Sequence, residues 1–191
     1  MDHTITVRPA AAAADWPDVE ELLSARGSVK GCWCMFFRQT PQERRETEWG
    51  EGNRRALRAL VDDGRRPGLV ARRDRTPVGW VSVAPRTEYS RLDRSPVSKP
   101  VDDVPVWAMV CLYVGKEHRG TGVARELVRG AVSFARDNGA RTVEAHPVDD
   151  TMGPVGAGEA FHGLVSLLTA EGFSEVARRS PKRPVMRRQL T

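Results

Sequence analysis

The twelve residues "VPVWAMVCLYVG", Val104 to Gly115, constrain this chain more than any other stretch. A near-continuous apolar run of strand length is the pattern of a β-strand buried on both faces. Such a strand needs a covering layer on each side, so helices must come from the rest of the chain.

The flanking segments supply them. "TITVRPA" (Thr4 to Ala10) alternates and reads as a first strand. A helix follows, with Asp15 as its cap, Pro17 in its first turn and Gly27 past its end. Pro41 to Gly64 is polar and mostly helical, with Gly50 and Gly52 as interruptions. "GLVARRD" and "PVGWVSVAPR" form a hairpin around Asp74 to Pro77, and Arg86 to Asp103, with Pro96 and Pro100, reads as a long loop. After the apolar run, Val123, Leu127, Val128, Ala131, Val132 and Ala135 keep a helical period that Gly139 ends. "RTVEAHPV" is a further strand. "GEAFHGLVSLLTAEGF" reads as one amphipathic helix on Phe161, Leu164, Val165 and Leu168, before the two closing strands "FSEVARR" and "PVMRRQL". The fold class is α/β, a single domain over residues 1–191.

Composition removes several function classes. With 40% hydrophobic and 29% charged residues, the chain has the make-up of an ordinary soluble domain. It shows neither a span-length apolar run nor a basic-then-apolar leader, so no membrane partner and a cytoplasmic location are expected. Cys32, Cys34 and Cys111 are too few for a disulfide framework and lack the C-x-x-C spacing of zinc ligands, so no metal is expected. The net charge of +5 comes with arginine pairs such as Arg44-Arg45 and Arg65-Arg66, read as solvated surface. No helix-turn-helix, RNA-binding aromatic motif or zinc-finger spacing points to nucleic acid.

Chemistry concentrates after the buried strand. In "HRGTGVAREL" (His118 to Leu127), Gly120 and Gly122 precede a helix start, where free N–H groups and the positive end of the dipole favour an anion. Glycines let a phosphate approach that backbone, and Arg119 adds a cation. The Walker pattern needs a lysine where Val123 stands, and the dinucleotide fingerprint needs a third glycine where Arg125 stands. What remains is R-x-x-G-x-A: Arg119, Gly122, Ala124.

This motif, the apolar strand before it and the Gly172-Phe173 pair after the last large helix closely resemble the GNAT N-acetyltransferase superfamily. The resemblance implies a mostly antiparallel mixed sheet, splayed by a bulge between the fourth and fifth strands and flanked by helices. It implies acetyl-CoA as co-substrate, with its pyrophosphate on the backbone N–H groups of Gly120, Thr121, Gly122, Val123 and Ala124 and Arg119 as a cation in reach. Its pantetheine arm would pair with Leu112, Tyr113 and Val114, and the N–H of Leu112 would face the thioester oxygen, where charge builds during attack. The reaction implied is direct acetyl transfer in a ternary complex to an amine of a small molecule or protein. The resemblance also admits a homodimer.

This sequence departs from the family's pattern in places. Aligned from Gly172-Phe173, Phe161 falls at a common asparagine position and Leu168 at the position of a tyrosine that protonates the leaving thiolate. A thiol pKa of about 8.5 makes that anion a tolerable leaving group without it. The glutamate base of the histone-acetylating branch is replaced by Ala108. A base for the amine is therefore sought on "TVEAH", where Glu144 and His146 share one face of the strand, with Glu144 favoured and His162 a third candidate. The alternative is that Glu144 pairs with an arginine and His146 caps the strand end. Trp33, in "GCWCMFFR", and Trp107 are expected as apolar walls of the acceptor pocket. A non-catalytic acyl-CoA sensor is the competing reading.

Overall fold

In the computed structural model, which describes residues 4–24 and 30–190, one seven-stranded sheet runs in the order β1-β2-β3-β4-β5-β7-β6. The strands are β1 (Ile5–Pro9), β2 (Leu69–Arg73), β3 (Thr76–Pro85), β4 (Trp107–Val114), β5 (Thr142–Ala145), β6 (Ser174–Arg178) and β7 (Pro184–Gln189). Every neighbouring pair is antiparallel except β4 with β5. That parallel pair holds only from Trp107–Val143 to Met109–Ala145, after which β4 runs on to Val114 beside β3 but without β5.

The apolar run is buried on both sides, as its composition requires. One cluster joins α1 (Trp16–Ser24) and α3 (Glu51–Asp62) to Trp80, Ala108 and Val110. The opposite face joins α5 (Val123–Asp137) to Met109, Leu112 and Val143. Asp15 does not cap α1 directly: its carboxylate reaches back to the N–H groups of Ala11 and Ala12, each at 3.0 Å, and closes the 3₁₀ turn (Ala13–Asp15) that leads into the helix. The expected stop at Gly27 lies outside the described residues. Thr40 and Glu43 close a capping box on α2 (Pro41–Glu46), and Gly50, not Gly52, makes the break before α3.

Two expectations need correcting. The 86–103 stretch is not all loop: it contains a 3₁₀ turn (Arg86–Glu88) and α4 (Ser90–Arg94), which bury Tyr89 and Leu92. The helix expected over "GEAFHGLVSLLTAEGF" is two short ones, α6 (Ala157–Ala160) and α7 (Val165–Ala170). Gly163 at φ +86° and an extended Leu164 divide them, so Phe161 and Leu168 lie on different elements. Leu168 is fully buried in the α5-side cluster. Leu168→Ala is expected to cost about 2–5 kcal/mol in urea unfolding as a core cavity.

Candidate active site

The glycine turn forms a cradle of unpaired donors. Gly120 (φ +73°) and Gly122 (φ +87°) take left-handed conformations, and a Cβ built on either meets no atom within 4 Å. Gly122 caps α5 without a side chain. Among the described residues, no N–H from Gly120 to Arg125 finds an acceptor in the chain; the first to do so is Glu126, on the Gly122 carbonyl at 3.2 Å. The Thr121 hydroxyl donates to the His118 carbonyl at 2.7 Å and accepts from Arg73 at 2.8 Å, which fixes the turn. The cradle opens into a cleft of about 590 Å³ lined by Leu112, Tyr113, Val114, Phe161 and Leu167, among others. His118 and Arg125 line it as well, two ionisable side chains the motif alone did not single out. Free N–H groups, space where side chains are missing and a deep cleft fit a diphosphate on a long apolar arm.

Where β4 and β5 part, a bulge changes the pleat. Ser82 pairs with Cys111 and Val83 with Met109, leaving Val110 as the extra residue. Val110 and Cys111 therefore both face the α1/α3 side, while Leu112 returns to the α5 side. The gap beyond is filled by the chain itself. Leu112 N–H donates to the Phe161 carbonyl at 2.7 Å, and on the other side Val148 N–H donates to Gly163 and Val165 N–H to Val148, both at 3.0 Å. The turn from Phe161 to Gly163 and the single parallel bridge of Leu164 with Val148 thus occupy the space where the resemblance places the pantetheine arm. In this structure the Leu112 N–H, which the resemblance sets opposite the thioester oxygen, is bonded to the Phe161 carbonyl.

On the other side of the bulge lies a buried charge cluster. Glu144 is fully buried; one oxygen is held by Arg86 Nη1, and the other accepts from Arg187 Nε at 2.9 Å. Arg187 also bonds Asp102 at 2.7 and 2.9 Å, and Arg86 bonds the Ser98 carbonyl at 2.6 Å, which ties the 86–103 segment to β5 and β7. Burial works to raise the Glu144 pKa, but His146 and the two guanidiniums outweigh it and hold it below the usual carboxylate value. A carboxylate so satisfied is a poor proton acceptor. The arginine pairing that the sequence left open is the one found: Glu144 is held by Arg86 and Arg187.

His146 differs. It is buried, its Nε2 lies 3.3 Å from Glu144 Oε1, and neither ring nitrogen has a hydrogen-bond partner among the described residues. Burial lowers its pKa despite the pull of Glu144, so the ring is neutral at pH 7. It lines a small cavity with Phe37, Leu92, Ser98, Val110, His162 and Arg183. His162 sits edge-on to Phe37 and against Phe161, and burial pushes its pKa down to about 3.

Both tryptophans fall elsewhere. Trp33 stacks on Trp16 (5.9 Å between ring centroids) in the core. Trp107 packs against Phe134 on the α5 face, because strand alternation turns it away from the face that carries Val110. The aromatic segment does reach the cavity, through Phe37. Arg86 and Arg187 carried no local sequence signal, since only the pairing of Glu144 opposite Arg187 across β5 and β7 brings them together.

Comparison with known proteins agrees with this geometry. The profile of the acetyltransferase (GNAT) family matches residues 33–153. No curated protein sequence matches. Among solved structures, the chain is similar to a mosquito arylalkylamine N-acetyltransferase like 5b (TM-score 0.58, 11% identity, covering 98% of this chain and 100% of that one). It is also similar to a PaiA N-acetyltransferase from Thermoplasma acidophilum in complex with coenzyme A (TM-score 0.54, 12% identity, 98% and 99% covered). An agmatine N-acetyltransferase mutant in its apo form gives a TM-score of 0.56 at 14% identity, with 97% and 99% covered. These likenesses show a shared fold, and the profile match covers more than half of the sequence. The chain belongs to the acetyltransferase (GNAT) family.

Proposed function

We propose that this chain, acting as one domain, transfers the acetyl group of acetyl-CoA directly to an amine in a ternary complex. Bound acetyl-CoA supplies the activated thioester. The N–H groups from Gly120 to Ala124, with the α5 dipole and Arg119, hold its diphosphate. The observation that carries the reading is this cradle of unpaired donors opening on a cleft that reaches Leu112 on β4. Leu112 N–H becomes the oxyanion donor once the Phe161 carbonyl withdraws, so the 161–163 segment must move for transfer to occur.

His146 takes the amine proton. With an N–H at Nε2 facing Glu144, the lone pair sits at Nδ1, and Glu144 steadies the imidazolium that forms. Glu144 is thus a positioning residue. Leu168, at the tyrosine position, is buried and carries no proton, so the leaving thiolate, tolerable at a thiol pKa of about 8.5, takes its proton from water.

The cradle is tested with a matched pair of variants. Gly122 and Gly139 stand at opposite ends of α5 with the same φ of +87°, and neither has an atom within 4 Å of a built Cβ. Valine at either position carries the same left-handed strain, of about 1–2 kcal/mol. Gly122→Val is expected to weaken acetyl-CoA binding by about tenfold or more in calorimetry, whereas Gly139→Val leaves it unchanged. Equal affinity in the two folded variants would refute the cradle. Release of free thiol from acetyl-CoA with an amine panel separates catalysis from mere sensing.

A further inference from the structure

Among the described residues, one cation beside the candidate base has no hydrogen-bond or ion-pair partner. Arg183 lines the small cavity with His146 and His162, and is half-buried. Among the described residues its guanidinium makes no hydrogen bond and no ion pair within 4 Å; Glu159 acts on it only from beyond that distance. The surrounding charges do not compensate it. Glu144 is shared between Arg86 and Arg187, and both histidines are held neutral.

Arg183 is also held in place. Its turn between β6 and β7 is closed by its own N–H on the Ser180 carbonyl at 3.0 Å. Asp149 N–H donates to the Lys182 carbonyl at 2.9 Å, and Arg178 bridges the Asp149 carboxylate and the Pro181 carbonyl. Pro184 follows and restricts the backbone of Arg183 itself. A long flexible side chain in open solvent needs no such anchoring.

Resting on the acetyltransferase reading, we propose that the acceptor is a small amino acid, with its carboxylate paired to Arg183 and its amine presented to His146. A planar fork of donors suits a carboxylate bidentately, and a ligand anion offsets the cost of holding a guanidinium half out of water. The same field disfavours a purely cationic amine, because a second positive charge in a poorly solvated pocket is repelled. It also eases loss of the ammonium proton, which attack requires. The cavity holds about 10 Å³ as it stands, room for a single water, so the acceptor enters only as the Phe161–His162 segment moves aside. Such confined space favours an amine and a carboxylate only a few bonds apart.

The test compares matched acceptors on the purified full chain with acetyl-CoA, reading free thiol. Leucine is set against 3-methylbutylamine and phenylalanine against 2-phenylethylamine, with aminophosphonate analogues as a third arm. The amino acid is expected to exceed its matched amine in kcat/KM by about 10²-fold or more, since a site built to pair a charge rejects a ligand lacking it. Arg183→Gln should erase that preference by raising the amino-acid KM while leaving the KM for acetyl-CoA unchanged, and Arg183→Lys should restore part of it. Amines used as well as amino acids, a preference for the phosphonates, or an indifferent Arg183→Gln variant each overturn the proposal while leaving acetyl transfer intact. Failure of every acceptor counts against the transferase reading instead. Calorimetry of leucine and phenylalanine binding in the presence of CoA then decides this proposal: binding lost in Arg183→Gln upholds it, and no binding to the unaltered protein overturns it.

Discussion

Replacing His146 by glutamine is expected to lower kcat by roughly 10²–10⁴-fold while leaving acetyl-CoA affinity unchanged. The substitution removes a neutral imidazole with two unpartnered nitrogens, so no buried charge is left behind. The cleft that holds the cradle is not lined by His146 and is untouched. The pH dependence gives a second readout. Burial depresses the folded pKa of His146 below its ordinary value of about 6.5. The neutral base therefore persists as pH falls through 6.5, and the acid limb of kcat lies below it. Between the lowered folded pKa and about 6.5 the unfolded chain binds the extra proton, so stability rises with pH across that window. His146→Gln should abolish that slope. Normal turnover by the variant, measured as thiol release with a good acceptor, would remove His146 from the mechanism.

Glu144→Gln should act first on folding, at a cost of about 3–5 kcal/mol, because it removes the one fully buried anion that Arg86 and Arg187 share and leaves them only the half-exposed Asp93 and Asp102. Breaking one partner of a buried pair costs more than deleting the whole group. A combined Glu144→Leu, Arg86→Met, Arg187→Met variant should therefore recover most of the loss in urea unfolding. Glu144 has a lowered pKa in the fold, so its contribution is present above about 4.3 and disappears as pH drops through the folded value. Wild-type stability in Glu144→Gln would mean that the arginines find other acceptors, and that Glu144 is held there for another purpose.

The Leu168 position offers a check on the leaving-group step. Leu168→Ala should lose stability yet keep the basic limb of its activity profile where the unaltered protein has it, because a leucine cannot donate a proton. A shifted limb would show that proton delivery depends on this helix.

What the sequence determined by itself is what local chemistry encodes. Twelve apolar residues demanded a strand covered on both faces, and the period from Val123 to Ala135 demanded the helix after it. Two glycines before a helix demanded positive φ and open space, which is where the cradle stands. Tertiary structure decided everything that depends on which residues meet. Gly163 broke a helix whose apolar period looked continuous, because its left-handed backbone lets residues 161–165 lie between Leu112 and Val148. A one-residue bulge at Val110 set the pleat beyond it, and alternation before it turned Trp107 onto the α5 face against Phe134. Glu144 became an ion-paired anchor because Arg86, 58 residues before it, and Arg187, 43 residues after it, converge on its two oxygens. Side-chain periodicity is a property of a segment, whereas the protonation and partners of a buried group belong to the space it shares with distant segments.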